Sequence, residues 1–413
     1  MSSIFLIIVI AVIVAKYLLD VIVARLNLSR LSPDLPSEFT GYYDAEKYAT
    51  SQRYTRERTR FGMIENTLDV LVIIPFILLG GFGWLDSVVR SLGQVTIVNG
   101  LIFAGILIIV GQILGLPFSI YSTFVIEEKY GFNRTTPKTF VFDMLKGLLL
   151  TIIIGAPIFA LLQWFFLKFG KPAWFYAWGM VTAFQLLMMY IAPTWIMPLF
   201  NKFTPLEDGE LKTSVEEYAR KQEFALQGIY KMDGSRRSSR SNAFFTGFGK
   251  SRRIALYDTL MERHTVTELV GVLAHEIGHY KLGHIPKRLA VGVMSTGMML
   301  FLLSLFMQEH ALYEAFQIAE PSVYTGMIIF GFLYAPISLA LGIFGNWSSR
   351  RDEYEADAFA ANTTGDAPAM IEALKKLSVD NLSNLTPHPL KVFLTYDHPP
   401  VLVRVTELKR LST

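Results

Sequence analysis

His275, Glu276 and His279 occur as His-Glu-Ile-Gly-His, two imidazoles and a carboxylate within five residues. Residues 267 to 280 have the apolar spacing of a helix, so His275 and His279, four positions apart, point the same way and can share one metal ion. Zinc peptidases use this arrangement, with the glutamate beside the metal as general base. Zinc accepts imidazole nitrogen and carboxylate oxygen at about 2.0 to 2.2 Å, and a catalytic site takes three protein ligands with water in the fourth place. Two histidines are one ligand short. Six residues after His279, where a third histidine would stand, is Ile285, and His284 is one residue out of register. The better candidate is downstream, where Glu353 and Asp357 lie one turn apart in a helix-compatible run from 349 to 358. Glu353 would close the site, and Asp357 would accept a hydrogen bond from the distal nitrogen of a ligating histidine, fixing its tautomer. Alone, that pair reads as a solvated helix face; the histidine motif raises its status. His264 and His310 lie in charged loop sequence and read as surface residues.

The elements that position these residues are set by an apolar chain. Of 413 residues, 52% are hydrophobic and 18% charged, and the mean hydropathy is +0.38, which excludes an ordinary soluble protein. Segments long enough to cross a bilayer occur at 4–25, 68–90, 97–121, 145–168, 174–200, 289–308 and 325–345. The first lacks a basic leader and a small-residue cleavage site and carries Lys16 and Asp20, so it reads as a retained span. Basic residues concentrate in 26–67 and 122–144, whereas 309–324 holds three glutamates and no lysine or arginine. Excess positive charge marks the cytosolic side, so seven spans place the N-terminus outside and the C-terminus inside. The regions carrying His275, His279 and Glu353 then share one side. The net charge of +3 fits topology and anionic-lipid contact, with no nucleic-acid partner. With no cysteine, disulfides and thiolate ligands are excluded.

Four segments follow: 1–200 with spans one to five, 201–288 as a catalytic insert, 289–345 with spans six and seven, and 346–413 carrying the third ligand. In the insert, 210–222 reads as an amphipathic helix and 228–232 as a short strand. Residues 241–246 and 253–257 read as a hairpin joined through 247–250. An exposed edge at 242–245 would receive an extended substrate; equally, the hairpin is structural, with Phe244 or Phe245 in a core.

The chain resembles the M48 integral-membrane zinc metallopeptidases typified by CAAX prenyl proteases of the Ste24 type. The likeness runs through Glu38-Phe39, Tyr43-Asp44-Ala45-Glu46-Lys47-Tyr48, Ile126-Glu127-Glu128-Lys129-Tyr130-Gly131-Phe132-Asn133 and Pro198-Leu199-Phe200-Asn201-Lys202-Phe203. It continues through Ser241-Asn242-Ala243-Phe244-Phe245, the His275 motif, Ser349-Arg350-Arg351 with Glu353 and Asp357, and Asp397-His398-Pro399-Pro400 with Arg404. The resemblance implies one zinc ion per chain on His275, His279 and Glu353, with Glu276 as general base. It further implies His398 as oxyanion donor, Arg404 helping to position it, and Asn242 of the Asn242-Ala243-Phe244 motif contacting substrate. From its surroundings alone, His398 is a turn residue before Pro399. The implied fold is a mainly α, polytopic membrane protein: seven transmembrane helices form a barrel around a water-filled chamber, with a cytosolic helix-plus-β-hairpin metallopeptidase domain over it. Lys16, Asp20, Asp69 and Asp143, in or beside spans, suit such an interior, and Lys16 with Asp20 at i+4 reads equally as a local ion pair.

The implied reaction removes the C-terminal tripeptide from prenylated CaaX peptides by a monomer in contact with membrane lipids. The alternatives are a quality-control peptidase acting on non-prenylated membrane polypeptides, a transporter with a closed structural zinc site, and an intramembrane-cleaving protease. The C-terminal residues carry no retention signal, which leans toward a bacterial inner membrane, with the endoplasmic reticulum the setting in a eukaryote.

Overall fold

The computed structural model describes residues 2–246 and 253–411. Seven helices are long and apolar enough to cross a membrane. They are α1 (Ser2–Ser29), α2 (Ala45–Leu78), α3 (Thr96–Glu127), α4 (Pro137–Phe169) and α5 (Ala173–Phe200), then α8 (His284–Phe306) and α9 (Val323–Thr364). Large apolar side chains stay exposed along them, Ile7 at 67%, Leu71 at 65% and Met294 at 71%, as lipid-facing surfaces require.

The second span differs from the expected 68–90. Asp44 caps α2 by accepting from the Lys47 amide, and the helix ends at Leu78, ahead of Gly80 at φ 73°. Residues Gly81–Ser91 form a separate short helix. Apolar composition alone ran the two together. At Gly83 a Cβ would lie 2.0 Å from the Gln317 carbonyl oxygen, so the short helix docks where a side chain cannot fit. The seventh span also outruns its expected limit at 345. Capped by Ser322 and ended by Gly365 at φ 70°, α9 is one 42-residue helix that carries the Glu353 segment as a continuation of the membrane span.

Between α5 and α8 lie α6 (Glu210–Lys221), α7 (Val266–Lys281) and a four-stranded sheet. Its strands are β1 (Phe203–Pro205), β2 (Gly228–Met232), β3 (Ala243–Thr246) and β4 (Arg253–Tyr257), in the order β1-β2-β4-β3. The expected hairpin is present, with Ala243 opposite Leu256 and Phe244 opposite Ala255. It belongs to a larger sheet, since β4 also pairs in parallel with β2, and β3 is an edge strand. The connection expected at 247–250 and the side chain of Phe245 lie outside the described residues.

Beneath the sheet, Ile254 and Leu256 pack on Leu269 and Leu273 of α7, all 2% exposed or less. Burying each such side chain stabilises the fold by about 1.5 to 3 kcal/mol. Ala274 and Ile277 of α7 face the other way, into a cluster with Tyr218, Phe224 and Ala360 of α9. A capping box between Thr265 and Glu268 starts α7, and Gly283 at φ 74° separates it from α8. His264, expected on the surface, is buried, with Nδ1 3.1 Å from the Leu260 carbonyl oxygen. The tail completes the soluble region with α10 (Ala367–Asp380), α11 (Pro389–Thr395) and α12 (Val401–Leu411).

Gly278 is where α7 and α9 touch. A Cβ there would stand 3.1 Å from Phe359 Cδ1 and 3.3 Å from Ala356 Cα, with backbone as the obstacle. Gly278→Val should therefore cost about 1 to 3 kcal/mol and weaken metal retention together. Gly292→Ala on α8, where nothing lies within 4 Å, serves as the neutral control in thermal melts and metal analysis.

Candidate active site

On α7, the rings of His275 and His279 converge, their Nε2 atoms 3.1 Å apart. From α9, Glu353 meets both: Oε2 is 3.3 Å from His275 Nε2, and Oε1 is 3.2 Å from His279 Nε2. Ligands about 2.0 to 2.1 Å from a tetrahedral ion stand about 3.3 to 3.4 Å apart. The two imidazole nitrogens and the Glu353 carboxylate thus approach one another at the separations that zinc ligands take. Glu353 is 1% exposed, and its Oε2 has no hydrogen-bond partner among the described residues. Such an orphaned buried carboxylate oxygen fits a cation. Among the described residues, the group of histidine and carboxylate atoms mutually within 4.8 Å here consists of these three, the number a catalytic zinc takes from protein.

The charges around His275 point the same way. Burial alone would lower its pKa, but the neighbouring carboxylates of Asp357 and Glu353 raise it to about 9. Carboxylates that hold a proton so firmly are placed to hold a metal ion in its stead. Asp357 Oδ1 accepts from His275 Nδ1 at 2.8 Å, the orienting contact expected from its spacing.

Arg404, from α12, lines the same cavity as His398 and reaches past it to Asp357. Its Nε donates to Asp357 Oδ2 at 2.8 Å and its Nη2 to Asp357 Oδ1 at 2.6 Å, a bidentate clamp behind His275. Its Nη1 lies 3.5 Å from Glu353 Oε2. The guanidinium is buried and balances two buried carboxylates.

His398 stands in the turn just before α12, its Nε2 3.3 Å from Glu353 Oε1 and its side chain 57% exposed. Nδ1 donates to Asp397 Oδ1 at 2.9 Å, and that bond raises the His398 pKa against the effect of burial. With Nδ1 turned to Asp397, Nε2 is the ring nitrogen that faces the site.

Glu276 is half-buried on α7 beside the cluster. Asn242 is exposed just before β3, its carbonyl accepting from the Tyr257 amide at 3.1 Å. Asn242, Tyr257, Pro400, His398 and Arg404 line a cavity of about 900 Å³ that reaches Tyr54 and Arg58 on α2. Ala243 packs against the sheet core, and the Phe244 ring lies 6.3 Å from that of Tyr257.

One participant was missed from sequence. His284, dismissed as out of register for ligation, sits at the first turn of α8 with Nδ1 2.9 Å from His279 Nδ1 and Nε2 3.1 Å from Glu355 Oε2. It braces His279 as Asp357 braces His275. Nothing in helical periodicity could announce this, because the left-handed turn at Gly283 redirects the chain. Asp352, 3.9 Å from His284 Nε2, is neutralised by Lys287, which sets this second group apart from the first.

Asp357→Asn keeps the shape of the side chain and removes its charge. Metal affinity should fall about 10- to 100-fold, with the melting temperature also lowered because Arg404 loses its counter-ion. Titration of metal-stripped protein reads the first effect, and an unchanged affinity would show that Asp357 does not support the site.

Known proteins match this chain over its whole length. Residues 24–202 match the family model described as CAAX prenyl protease N-terminal, five membrane helices, and residues 205–412 match peptidase family M48. A CAAX prenyl protease 1 homolog of Oryza sativa is 37% identical, covering 91% of this chain and 90% of the relative. A probable CAAX prenyl protease 1 of Schizosaccharomyces pombe is 36% identical over 96% and 86%. The Homo sapiens CAAX prenyl protease 1 homolog is 32% identical over 94% and 91%. Among solved structures, S. mikatae Ste24p superposes with a TM-score of 0.93 at 33% identity, covering 98% of this chain and 99% of its own. Two consecutive family matches, relatives aligned nearly end to end and a common fold converge on one assignment: the chain belongs to the M48 metallopeptidases, in their integral-membrane CAAX prenyl protease branch.

Proposed function

We propose that this metallopeptidase holds one zinc ion on His275, His279 and Glu353 and removes the C-terminal tripeptide from prenylated CaaX peptides. The observation that carries the metal assignment is the convergence of His275 Nε2, His279 Nε2 and the buried Glu353 carboxylate, each pair in contact at 3.1 to 3.3 Å. A transporter with a structural zinc would call for a fourth protein ligand, and the donor group ends at three among the described residues. The prenylated substrate class follows from the names of the relatives.

Zinc bound there would supply a Lewis acid for the scissile carbonyl and a more acidic water. Glu276 takes the proton from the attacking water and returns it to the leaving amine. His398 donates from Nε2 to the developing oxyanion, and Asp397 keeps it protonated for that role. Asp357 and His284 hold the tautomers of His275 and His279, with Arg404 behind Asp357. The free edge of β3, next to Asn242, offers main-chain hydrogen bonds to an extended peptide whose remaining length runs into the cavity toward α2.

The protein works as a monomer among membrane lipids, with the active site on the cytosolic side and the N-terminus opposite, as the basic loops at 26–67 and 122–144 favour. The relatives named above are eukaryotic and lend no support to a bacterial inner membrane, so the endoplasmic reticulum is the proposed setting. Residues 1–200, 201–288, 289–345 and 346–413 divide by role, although α8 and α9 run across the last two boundaries.

Matched farnesylated and unmodified CaaX peptides, incubated with zinc-loaded wild type and Glu276→Gln and followed by mass spectrometry, test this reading. Release of the tripeptide from the farnesylated peptide alone is expected, with the variant retaining zinc and losing about 10²- to 10⁴-fold in rate. Equal cleavage of both peptides would assign the protein to quality control of unmodified substrates. His398→Ala should lower the rate about 10²- to 10³-fold with zinc content unchanged, which separates oxyanion donation from metal binding.

A further inference from the structure

The reaction proposed above makes no use of the outer face of α2. Arg53, Arg56 and Arg60 follow one another on a single helical stripe, and the same stripe continues as Ile64, 60% exposed, and Leu71, 65% exposed. The opposite stripe carries Arg58, Gly62 and Glu65, which line an inner recess with Ser119 and Ser122 of α3. The outer stripe thus passes from guanidinium to hydrocarbon within one turn, between Arg60 and Ile64. Such a change marks the boundary between headgroups and acyl chains on a membrane-spanning helix.

At that boundary a groove of about 370 Å³ opens between α2 and the end of α3, with Lys129 and Tyr130 on its far wall. Its charges do not balance. Glu57 is the one acid in the lining, and its carboxylate is committed, accepting from Lys129 Nζ at 2.6 Å and Tyr130 OH at 2.7 Å. Arg53 donates to Thr50 Oγ1 on its own helix, and Arg56 and Arg60 have no ion pair among the described residues. Four cations against one carboxylate leave three positive charges facing a groove whose floor is the Phe61–Tyr121 stack, centroids 5.0 Å apart. The catalytic cavity takes its α2 wall from Tyr54, Thr55, Arg58 and Thr59, so the groove lies behind that wall.

We propose that this groove binds an anionic glycerophospholipid, its phosphate on Arg56 and Arg60 with Arg53 and Lys129 around it, and an acyl chain along Tyr121 and Ile64. Free phosphate satisfies the cations but not the apolar stripe, and a zwitterionic lipid satisfies the stripe but not the excess charge. Only the anionic lipid meets both. This assignment is independent of the substrate proposed for the active site.

The test uses full-length protein in mild detergent, with bound lipid counted by native mass spectrometry. Phosphatidylserine should be retained over phosphatidylcholine, and Arg56→Gln/Arg60→Gln should reduce that preference about five- to thirtyfold. Arg220→Gln/Lys221→Gln, the same loss of two positive charges at exposed positions of α6, should leave it intact. Both arginines are exposed, so the double variant is expected to fold, and a thermal melt in the same detergent verifies it. Equal retention of the two lipids, or a preference unchanged in the double variant, would overturn the proposal. So would displacement of phosphatidylserine by millimolar inorganic phosphate or glycerophosphoserine, which would assign the groove to a soluble phosphate ligand.

Discussion

The close approach of α7 and α9 at Gly278 is the constraint on which the remaining architecture hangs. Two histidines from the insert must meet a carboxylate from a membrane-length helix within about 3 Å, and a side chain at position 278 would press on Phe359 and on the backbone at Ala356. On its other side α7 is fixed by Leu269 and Leu273 against β4, so the sheet sets the height of the histidines over α9. The strand at the rim of that sheet is then brought alongside the same site.

Convergence of acidic groups has a cost. Glu353 and Asp357 are buried at 1% and 3% exposure, and a desolvated carboxylate without a partner costs several kcal/mol. Arg404 lies against both, and His275 and His279 converge on Glu353. That requirement draws the C-terminal helix into the centre of the protein. Lys409 on α12 and Lys375 on α10 both reach Glu38 in the segment between α1 and α2, and Arg350 donates to the carbonyls of Val392 and Tyr396. The first loop, the last helix and the ligand-bearing helix are thereby tied into one body. Glu127 does the same for the insert, joining Tyr54, Arg58 and Arg240.

What could be read in the amino-acid order follows its periodicities. His275 and His279, and Glu353 and Asp357, share helix faces because a spacing of four residues does so wherever a helix forms, and 228–232 and 253–257 stood out as strands between turn residues. Relations between elements were hidden. The bracing of His279 by His284 depends on a left-handed glycine, the Arg404 clamp spans 47 residues, and β1 joins a sheet through partners about 27 residues away. The break after Leu78 escaped notice because hydropathy is blind to the two glycines that bend the chain there.

The unbroken course of α9 has a mechanical consequence. A 42-residue α-helix is about 63 Å long, roughly twice the hydrocarbon thickness of a bilayer, so the ligand-bearing end is a stiff extension of the span. Glu353 lies eight residues beyond the apolar stretch ending at 345, a lever arm of about 12 Å. A change in tilt of about 5° at the membrane would swing its carboxylate by about 1 Å unless α7 moves with it. Misplacements of that size cost about 10²-fold in rate. The packing of α7 on the sheet and the clamp of α12 on Asp357 are the contacts that hold the two helices together against such a tilt.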